Sequence, residues 1–435
     1  MVVVYMTKPS GRAEYIFKLF FSELIGLPYA VTTSLDEFLS YSGPKINYSK
    51  SRQASGLYIR SGVILFEKGY QHREIAVGKY DGVPICFLND DPNSSLPFDP
   101  FEAAFFLVTR YEEYLALGKD RAGRYKASNS IVSKGDFLKI PVVNLWADMV
   151  LQLLLNSFPH LKVPVKKFRF TPSIDIDHAY AYGHRPLFRT IGGYLCDFKN
   201  ARLDLMERRT RVIMGNRKDP YDTFELMNSI HQEFDVRPLF FILFADYGGN
   251  DNNVSVKDKG FHALIKQLDK DGEVGVHPSL ISSRDFSYLE DEVFGLSKIL
   301  GRDILIARQH FLKITFPWTY RNLINLGITD DYSMGYASSP GFRAGIADSY
   351  PFFDLITDEE TSLRIHPACL MDVSLRDYLD LSREQGFSEI KEIINSVKAV
   401  NGELITLWHN ESFTDEGRWE GWVDVYRDMF KYATT

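Results

Sequence analysis

The sequence predicts an α/β protein in which a β/α barrel follows a smaller α+β domain. Strand-like apolar runs alternate with helical periodicity through the second part of the chain. This alternation is typical of parallel strands with helices packed outside them, in a barrel or in an open doubly wound sheet. No glycine-rich phosphate-binding loop follows any of these strands, which disfavours a nucleotide-binding open sheet and favours the barrel.

Length and composition narrow the class further. A chain of 435 residues is long enough for two or three domains, and its net charge of -7 disfavours a nucleic-acid-binding surface. The cysteines Cys86, Cys196 and Cys369 are odd in number and lack Cys-x-x-Cys spacing, so neither a disulfide framework nor a thiolate zinc site is expected. The sequence shows no stretch of about 18 apolar residues and no signal-peptide pattern, so a cytoplasmic location is expected.

The first part of the chain, residues 1–164, is predicted to form the α+β domain. Helices are predicted at about 13–25, 100–116 and 143–157, and strands at about 56–60 and 83–87. The helix from residue 100 is apolar nearly all round and should be buried, so its polar residues Arg110, Glu112 and Glu113 are expected to be structural. A basic, proline-containing connector at 161–168 places the boundary near residue 164.

The second part, residues 165–435, carries the alternating pattern. Strands are predicted at about 169–174, 238–244, 273–276, 303–307, 328–332 and 403–407, and helices at about 222–234, 260–268, 288–300, 320–326 and 387–400. Residues 179–219 interrupt the pattern with a basic, helical insertion. Its segment 202–218 would contact an anionic glycan, a lipid-linked sugar or a membrane surface, or would be a solvated insertion without a partner.

Two aspartates at the end of the first of these strands are the most informative pair. Asp175 and Asp177 are two residues apart, and such residues on a strand point to the same face, roughly 7 Å apart. Carboxylates that close repel, so a metal ion, a basic neighbour or a shared proton must stabilise them. The alternative is that one of them merely caps the following turn.

Further polar residues follow the other strands. The carboxyl ends of the predicted strands carry Asp175, Asp177, His277, Arg308, His310, Asp330, Asp331, His409 and Asn410. In β/α barrels the chemistry gathers at these ends. A single histidine would be explained by a structural role, but the joint placement of acids, histidines and an arginine predicts an active site.

These motifs resemble those of the metal-dependent polysaccharide deacetylase family, over residues 168 to about 415. Ser173-Ile-Asp-Ile-Asp177 resembles the opening motif of the family, Arg308-Gln-His-Phe311 its third motif and Ile405-Thr-Leu-Trp-His409 its last. The resemblance implies a distorted seven-stranded β/α barrel that removes N- or O-acetyl groups from sugars. The Arg-Tyr-Glu-Glu element and the Phe-Asp-Pro-Phe run of the first part are similar to an accessory domain that precedes the barrel in some bacterial members.

The resemblance also implies a role for each motif residue. Asp175 would be the general base, Asp177 a metal ligand, His409 the general acid, and Asp331 the acidic residue that supports His409. Arg308 would lie near Asp175, compensate its charge and orient it. A divalent ion lowers the pKa of water to about 7, so Asp175 would deprotonate the attacking water and His409 would protonate the leaving amine or alkoxide.

One family motif is incomplete in this chain. The family binds metal through His-x-x-x-His, but Gly275-Val-His-Pro-Ser-Leu-Ile281 keeps only His277 and has Ile281 at the second position. Because a catalytic zinc site normally has three protein ligands, the third would be His310, or waters would complete a site for Mn²⁺, Ni²⁺ or Co²⁺. Zn²⁺ is the expected ion. The remaining alternative is a metal-free, degenerate site.

Two other functions compete with the deacetylase. The first is a non-catalytic carbohydrate-binding or assembly protein that retains the barrel with a degenerate metal site. The second is a glycoside hydrolase that uses Asp175 and Asp177 as acid and nucleophile, although adjacent carboxylates on one strand are poorly placed to flank a glycosidic bond.

Aromatic and basic residues near the site are candidates for substrate binding. The glycine-rich segment 334–345 follows the fifth predicted strand, and its Tyr336, Phe342 and Arg343 would line a substrate groove or form an ordered surface loop. Trp408 precedes His409 and would stack on a sugar ring or form a wall of the pocket.

Overall fold

The computed structural model describes residues 1–53, 56–115, 118–248 and 251–434. The strands are β1 (Val2–Tyr5), β2 (Tyr29–Thr32), β3 (Lys45–Ser49), β4 (Leu57–Arg60), β5 (Val77–Tyr80), β6 (Val83–Cys86), β7 (Arg169–Ile176), β8 (Leu239–Ile242), β9 (Glu273–Val276), β10 (Ile306–Ala307), β11 (Asp330–Asp331), β12 (Tyr350–Asp354), β13 (Glu359–Ile365), β14 (Leu370–Met371) and β15 (Glu403–His409).

The helices alternate with these strands. They are α1 (Gly11–Phe17), α2 (Leu35–Ser40), α3 (Pro100–Val108), α4 (Ile131–Lys134), α5 (Val142–Ser157), α6 (Leu187–Lys199), α7 (Leu203–Ile213), α8 (Phe224–Glu233), α9 (Lys259–Asp271), α10 (Phe286–Leu300), α11 (Trp318–Asn325), α12 (Arg383–Ala399) and α13 (Trp422–Thr434). A π-helical segment, Lys18–Ile25, continues α1. The helices that lie wholly within the described residues are too short or too polar to cross a bilayer.

The first part of the chain contains a parallel sheet of four strands in the order β2-β1-β3-β4. Helix α3 lies against this part and is buried along its whole length. Asp99 starts it, because its carboxylate accepts the backbone N–H groups of Phe101 and Glu102 while Pro100 occupies the first helical position. The predicted end of this helix at residue 116 lies outside the described residues, and the described helix ends at Val108.

The second part is built on a sheet with the strand order β12-β13-β11-β10-β9-β8-β7-β15-β14. All pairs are parallel except the hairpin of β12 and β13, which confirms the predicted α/β class with parallel strands. Phe241 on β8, Ile306 on β10 and Ile405 on β15 meet in one buried cluster, so the sheet curls around an apolar interior. Closure into a seven-stranded barrel stays a prediction.

Several elements differ from the sequence-based expectation. The predicted strands at 303–307 and 328–332 shrink to two residues each, because the N–H groups of Thr329 and Asp330 both donate to the carbonyl of Leu305 and break the regular ladder. The hairpin of β12 and β13 was not predicted. Five of the seven residues in β13 are at least partly exposed, so the strand lacks a strong apolar pattern.

The two parts share buried contacts. Phe105 on α3 packs against Phe353 on β12, with ring centroids 5.2 Å apart. Arg343 of the second part forms a buried ion pair with Glu113 of the first, and Arg110 donates to the backbone carbonyl of Arg343. The structural role expected for Arg110 and Glu113 agrees with these contacts, whereas the domain boundary near residue 164 stays a prediction.

Candidate metal centre

The candidate site lies at the carboxyl ends of the parallel strands. Asp175 is the penultimate residue of β7, and Asp177 follows the strand directly. His409 ends β15 and is the register partner of Asp175, while His277 follows β9 and His310 follows β10. Parallel strands present their carboxyl ends at one edge of the sheet, so residues far apart in sequence converge there.

Three of these side chains form a cluster suited to a metal ion. Asp177, His277 and His310 each offer one ligand atom, and the three atoms lie within 4.8 Å of one another. The Nε2 atom of His277 is 3.2 Å from Oδ1 of Asp177, and Nε2 of His310 is 3.4 Å from its Oδ2. The structure therefore brings the three predicted ligands together, with His310 where a third ligand is needed.

In each of the three histidines of the site, a hydrogen bond from Nδ1 fixes the orientation of the ring. Nδ1 of His277 donates to the carbonyl of Arg308 at 2.5 Å, Nδ1 of His310 donates to Asp251 at 2.8 Å, and Nδ1 of His409 donates to Asp372 at 2.8 Å. A carbonyl or carboxylate oxygen accepts only, so in each neutral ring the proton sits on Nδ1 and the lone pair on Nε2. Histidines that bind metals are oriented in this way.

The carboxylate of Asp177 tests whether a cation fits. Its Oδ1 atom is buried and has no hydrogen-bond partner among the described residues, although Nε2 of His277 lies only 3.2 Å away. A buried acceptor without a donor is costly, and a cation shared with the imidazole lone pairs would satisfy it. Nitrogen and oxygen ligands suit Zn²⁺ and related divalent ions, so the residues present fit such an ion.

Burial and neighbouring charges act in opposite directions on the pKa values of Asp177 and His310. Burial alone would raise the pKa of Asp177, but His310 and His277 beside it hold that pKa well below its usual range. Burial would likewise lower the pKa of His310, whereas the carboxylates of Asp177 and Asp251 raise it to about 9.

Asp175 occupies a separate position beside the cluster. The guanidinium of Arg308 is fully buried and donates from Nη1 to Oδ1 of Asp175 at 2.9 Å. Arg308 is itself fixed, because its Nε donates to the carbonyl of Tyr332 at 3.0 Å and its guanidinium stacks over Phe241. The other oxygen of Asp175 lies 3.7 Å from Nε2 of His277, which leaves it facing the site.

The acid that supports His409 is Asp372, not Asp331 as the sequence analysis expected. Asp372 is buried and accepts both Nδ1–H and the backbone N–H of His409, each at 2.8 Å. Asp331 instead accepts the hydroxyl and the backbone N–H of Ser333. Burial would lower the pKa of His409, but the Asp372 carboxylate raises it to about 10.

The sequence did not identify Asp251 and Asp372, the two carboxylates that accept hydrogen bonds from His310 and His409. Asp372 follows β14, which has only two residues, Leu370 and Met371, so no strand was predicted there. Asp251 lies outside the helices and strands, in the segment between β8 and α9, where no periodic pattern marks it. The adjacent Leu370–Met371 apolar pair was the only signal for Asp372.

The backbone after His310 is unusual and fixes that side chain. Phe311 and Leu312 have φ values of 62° and 53°, a left-handed conformation that is rare for bulky residues. The ring of Phe311 stacks on His310 with a centroid distance of 4.1 Å. Strained residues of this kind concentrate at functional sites.

A cavity of about 180 Å³ opens onto the cluster. Its lining includes Asp175, Asp177 and the three histidines, together with Phe311, Met371, Tyr378, Leu407, Glu411 and Arg418. A second cavity of about 370 Å³ shares Arg124, Leu312, Ala337 and Tyr378 with it. The two cavities are therefore neighbours, and the exposed aromatic rings of Phe311 and Tyr378 line the one at the cluster.

The four residues expected to bind substrate are placed differently. Trp408 and Phe342 are both 1% exposed and lie in the hydrophobic core, because Trp408 alternates with Leu407 and His409 and points away from the site. Tyr336 and Arg343 are buried too, but they line the second cavity. The expectation of substrate contact is thus wrong for Trp408 and Phe342 and stays a prediction for the other pair.

Comparisons with known proteins identify one family model and several similar solved structures. Residues 2–159 match the model of a family of unknown function, DUF7033, and no curated protein matches the chain. Similar solved structures include a putative polysaccharide deacetylase from Mycobacterium smegmatis, with 14% identity, a TM-score of 0.41 and coverage of 62% of this chain and 86% of that chain.

Two further solved structures cover the same share of the chain. A probable polysaccharide deacetylase from Pseudomonas aeruginosa PAO1 is 11% identical over 62% of this chain and 85% of that chain, with a TM-score of 0.39. BA3943 from Bacillus anthracis, a CE4 family pseudoenzyme, is 12% identical over 62% of this chain and 61% of that chain, with a TM-score of 0.30. Sequence identities and TM-scores this low assign neither an activity nor a substrate to this chain.

Proposed function

We propose that this protein is a metal-dependent hydrolase that removes an acetyl group from an N- or O-acetylated sugar. One observation carries the proposal: the Nε2 atoms of His277 and His310 each face one oxygen of the Asp177 carboxylate, at 3.2 and 3.4 Å, and its buried Oδ1 lacks a hydrogen-bond donor. Asp175 and His409 lie beside this cluster in the same cavity. A ligand set with an adjacent base and acid is what metal-assisted hydrolysis requires.

Asp177, His277 and His310 would hold the ion, and Zn²⁺ suits their nitrogen and oxygen atoms. When bound, a divalent ion supplies Lewis acidity, which activates water and polarises a carbonyl oxygen at neutral pH. Asp251 and the carbonyl of Arg308 orient the two imidazoles through hydrogen bonds to Nδ1. In the family that the chain resembles, the second histidine of the His-x-x-x-His motif binds the metal. Position 281 of this chain is isoleucine, so His310 takes that role.

Asp175 is the proposed general base. Arg308 holds one of its oxygens, and the second faces the cluster, where it accepts a proton from the attacking water. Charge compensation by the buried guanidinium keeps the carboxylate in one orientation through the reaction. Loss of Arg308 would leave Asp175 as a buried charge without a partner.

His409 is the proposed general acid. Its Nε2 lies 3.7 Å from Oδ2 of Asp177 and faces the same cavity, so a proton on Nε2 is available to the leaving amine or alkoxide. Asp372 stabilises the protonated ring through the hydrogen bond to Nδ1. The base and the acid thus contact the substrate from different strands, β7 and β15.

The two neighbouring cavities support an acetylated sugar as the substrate. The cavity of about 180 Å³ at the cluster accommodates a small acyl group with part of a sugar, and the second cavity would take further residues of a glycan. Phe311 and Tyr378 offer exposed aromatic faces, and aromatic rings with a few polar groups are typical of binding pockets.

Metal content separates this proposal from a metal-free carbohydrate-binding protein. We expect the zinc-loaded wild type to retain about one ion per chain after desalting, and His310→Gln to lose it. His366→Gln is the matched control, since His366 also bonds a carboxylate, Asp330 at 2.7 Å, and stacks on an aromatic ring, Tyr332.

Release of acetate from an acetylated chitooligosaccharide, with Zn²⁺ or Co²⁺ added, provides the second readout. Activity should disappear in Asp175→Asn, with the metal still bound. A wild-type protein that binds no zinc, or a His310→Gln variant that binds it as tightly as the wild type, would contradict the proposal.

A further inference from the structure

Helix α6 has its polar side towards the protein and its apolar side towards solvent. Leu187, Phe188, Ile191, Leu195 and Phe198 are 51–75% exposed. Their spacing of i, i+1, i+4, i+8 and i+11 places them on one face of the helix. The less exposed side of the helix carries Arg189 and Asp197, with Tyr194 on its flank.

Specific polar contacts fix this reversed orientation. Asp197 forms an ion pair with the buried Arg209 of α7, and Tyr194 hydrogen-bonds Thr210. Arg189 donates to two backbone carbonyls of the segment 252–253 and stacks over Tyr247. The helix is therefore held with its apolar face outward by bonds on its polar face, and a rotation that buried the apolar face would break them.

The apolar face is unusual for this chain. Eight of the 26 large apolar side chains that are exposed among the described residues lie between positions 187 and 214, a small part of the chain. Contiguous exposed apolar surface marks a contact site. The helix has 13 residues, so it spans about 20 Å and is too short to cross a bilayer but long enough to lie on one.

The charge of this region indicates what it contacts. Residues 185–218 contain nine basic and three acidic side chains, a net charge of +6, while the whole chain has a net charge of -7. Glu416, Asp222 and Glu225 compensate three of these positive charges, because they pair with Arg208, Arg217 and Lys218, so the region remains basic with a net charge of +3. An apolar helical face within a basic segment is the combination that binds anionic lipid surfaces. A symmetric contact between two copies would bring two basic segments together, which like-charge repulsion disfavours.

We propose that the hairpin of α6 and α7 lies on the surface of an anionic lipid bilayer, with the apolar face of α6 inserted among the lipids. The proposal requires neither the metal site nor any catalytic residue. It also accounts for the polar face of α6, because bonds to α7 leave the apolar face free for insertion.

The position of the hairpin connects this surface to the candidate site. The hairpin follows β7, and the carboxylate of Asp219 fixes its base by accepting the backbone N–H groups of residues 181–183. Arg208 and Arg217 pair with Glu416, two residues from the cavity-lining Arg418. If the proposed function holds, the cavity therefore lies near the base of the hairpin, and the acetylated glycan it takes would be one attached to the lipid surface.

Vesicle sedimentation of the full-length chain tests the proposal. We expect the wild type to sediment with phosphatidylcholine vesicles that contain phosphatidylglycerol and to stay largely in solution with pure phosphatidylcholine. The triple variant F188S/L195S/F198S should bind the anionic vesicles at least about tenfold more weakly, because it removes most of the inserted apolar area. F294S/W318S, which removes two side chains of similar exposure elsewhere, should bind like the wild type.

A second variant tests the charge separately from the apolar face. K199E/R211E keeps every apolar residue and lowers the net charge by four, so it should lose the preference for phosphatidylglycerol. The triple serine variant should hydrolyse a soluble acetylated oligosaccharide as the wild type does, which shows that the variant is folded. A wild type that is inactive on this soluble substrate would contradict the proposed function and leave the vesicle result to decide the lipid contact.

Three results would overturn the proposal. The wild type could fail to bind anionic vesicles, or the triple serine variant could bind them as well as the wild type does. Light scattering could also show a wild-type dimer that the triple serine substitution converts to a monomer, which would make the face a contact between copies of the chain.

Discussion

The substitution Asp251→Asn tests the proposed metal centre through a residue outside its three candidate ligands, Asp177, His277 and His310. Asp251 accepts Nδ1–H of His310 at 2.8 Å and the backbone N–H of Leu280 at 3.1 Å. Asparagine preserves the shape and an accepting oxygen but removes the charge, so His310 becomes a weaker and less fixed ligand. Loss of such an outer partner typically lowers metal affinity by about 10- to 100-fold, which corresponds to about 1.4–2.7 kcal/mol.

The affinity for Zn²⁺ is measured by competition with a chromophoric chelator at neutral pH. Asp330→Asn is the control, because Asp330 bonds His366 at 2.7 Å outside the cluster, and its affinity should equal that of the wild type. The reasoning is refuted if Asp251→Asn binds zinc as tightly as the wild type, or if both variants lose affinity equally.

Three further predictions concern catalysis, substrate binding and stability. Asp372→Asn should lower kcat by about 100-fold or more with zinc affinity retained, since the general acid loses its support; an unchanged kcat would exclude His409 as the acid. Tyr378→Ala should raise KM, whereas Trp408→Phe should lower Tm and leave KM unchanged because Trp408 lies in the core; a rise in KM for Trp408→Phe would place that residue at the substrate. Burial lowers the pKa of His231 from 6.5 to about 4, so the folded state favours the neutral ring. Because the unfolded chain then binds more protons, the free energy of unfolding decreases as the pH falls from 6.5 towards 4. By about pH 4.5 this loss amounts to about 2 kcal/mol. Urea unfolding of His231→Phe should therefore show a smaller decline from pH 7 than the wild type, and an equal decline would contradict the assignment.

The sequence was most informative where long strands carry the site. Asp175 is the penultimate residue of an eight-residue strand with a clear apolar pattern, and Asp177 follows that strand directly. The ladder pairs of β7 and β15 put His409 opposite Asp175. Residues at such positions were predicted together, and the structure places Asp177, His277 and His310 in one cluster. The alternation of residues along β15 would also have shown that Trp408 points away from the face of His409.

The rest of the site depends on contacts that no local pattern encodes. Asp251 and Asp372 reach their histidines from an irregular segment and from a two-residue strand, so neither periodicity nor spacing identifies them. Asp331 was given the role of Asp372 on the basis of the family resemblance. Only the pairing of β14 with β15 shows which acid adjoins His409.

The most direct test of the central claim is a crystal structure of the zinc-loaded protein with anomalous scattering recorded at the zinc edge. The account predicts one ion bound by Asp177, His277 and His310, with Nε2 of each histidine about 2.0–2.1 Å from it. An ion that leaves His310 uncoordinated, or an empty cluster in crystals grown with excess zinc, would contradict it.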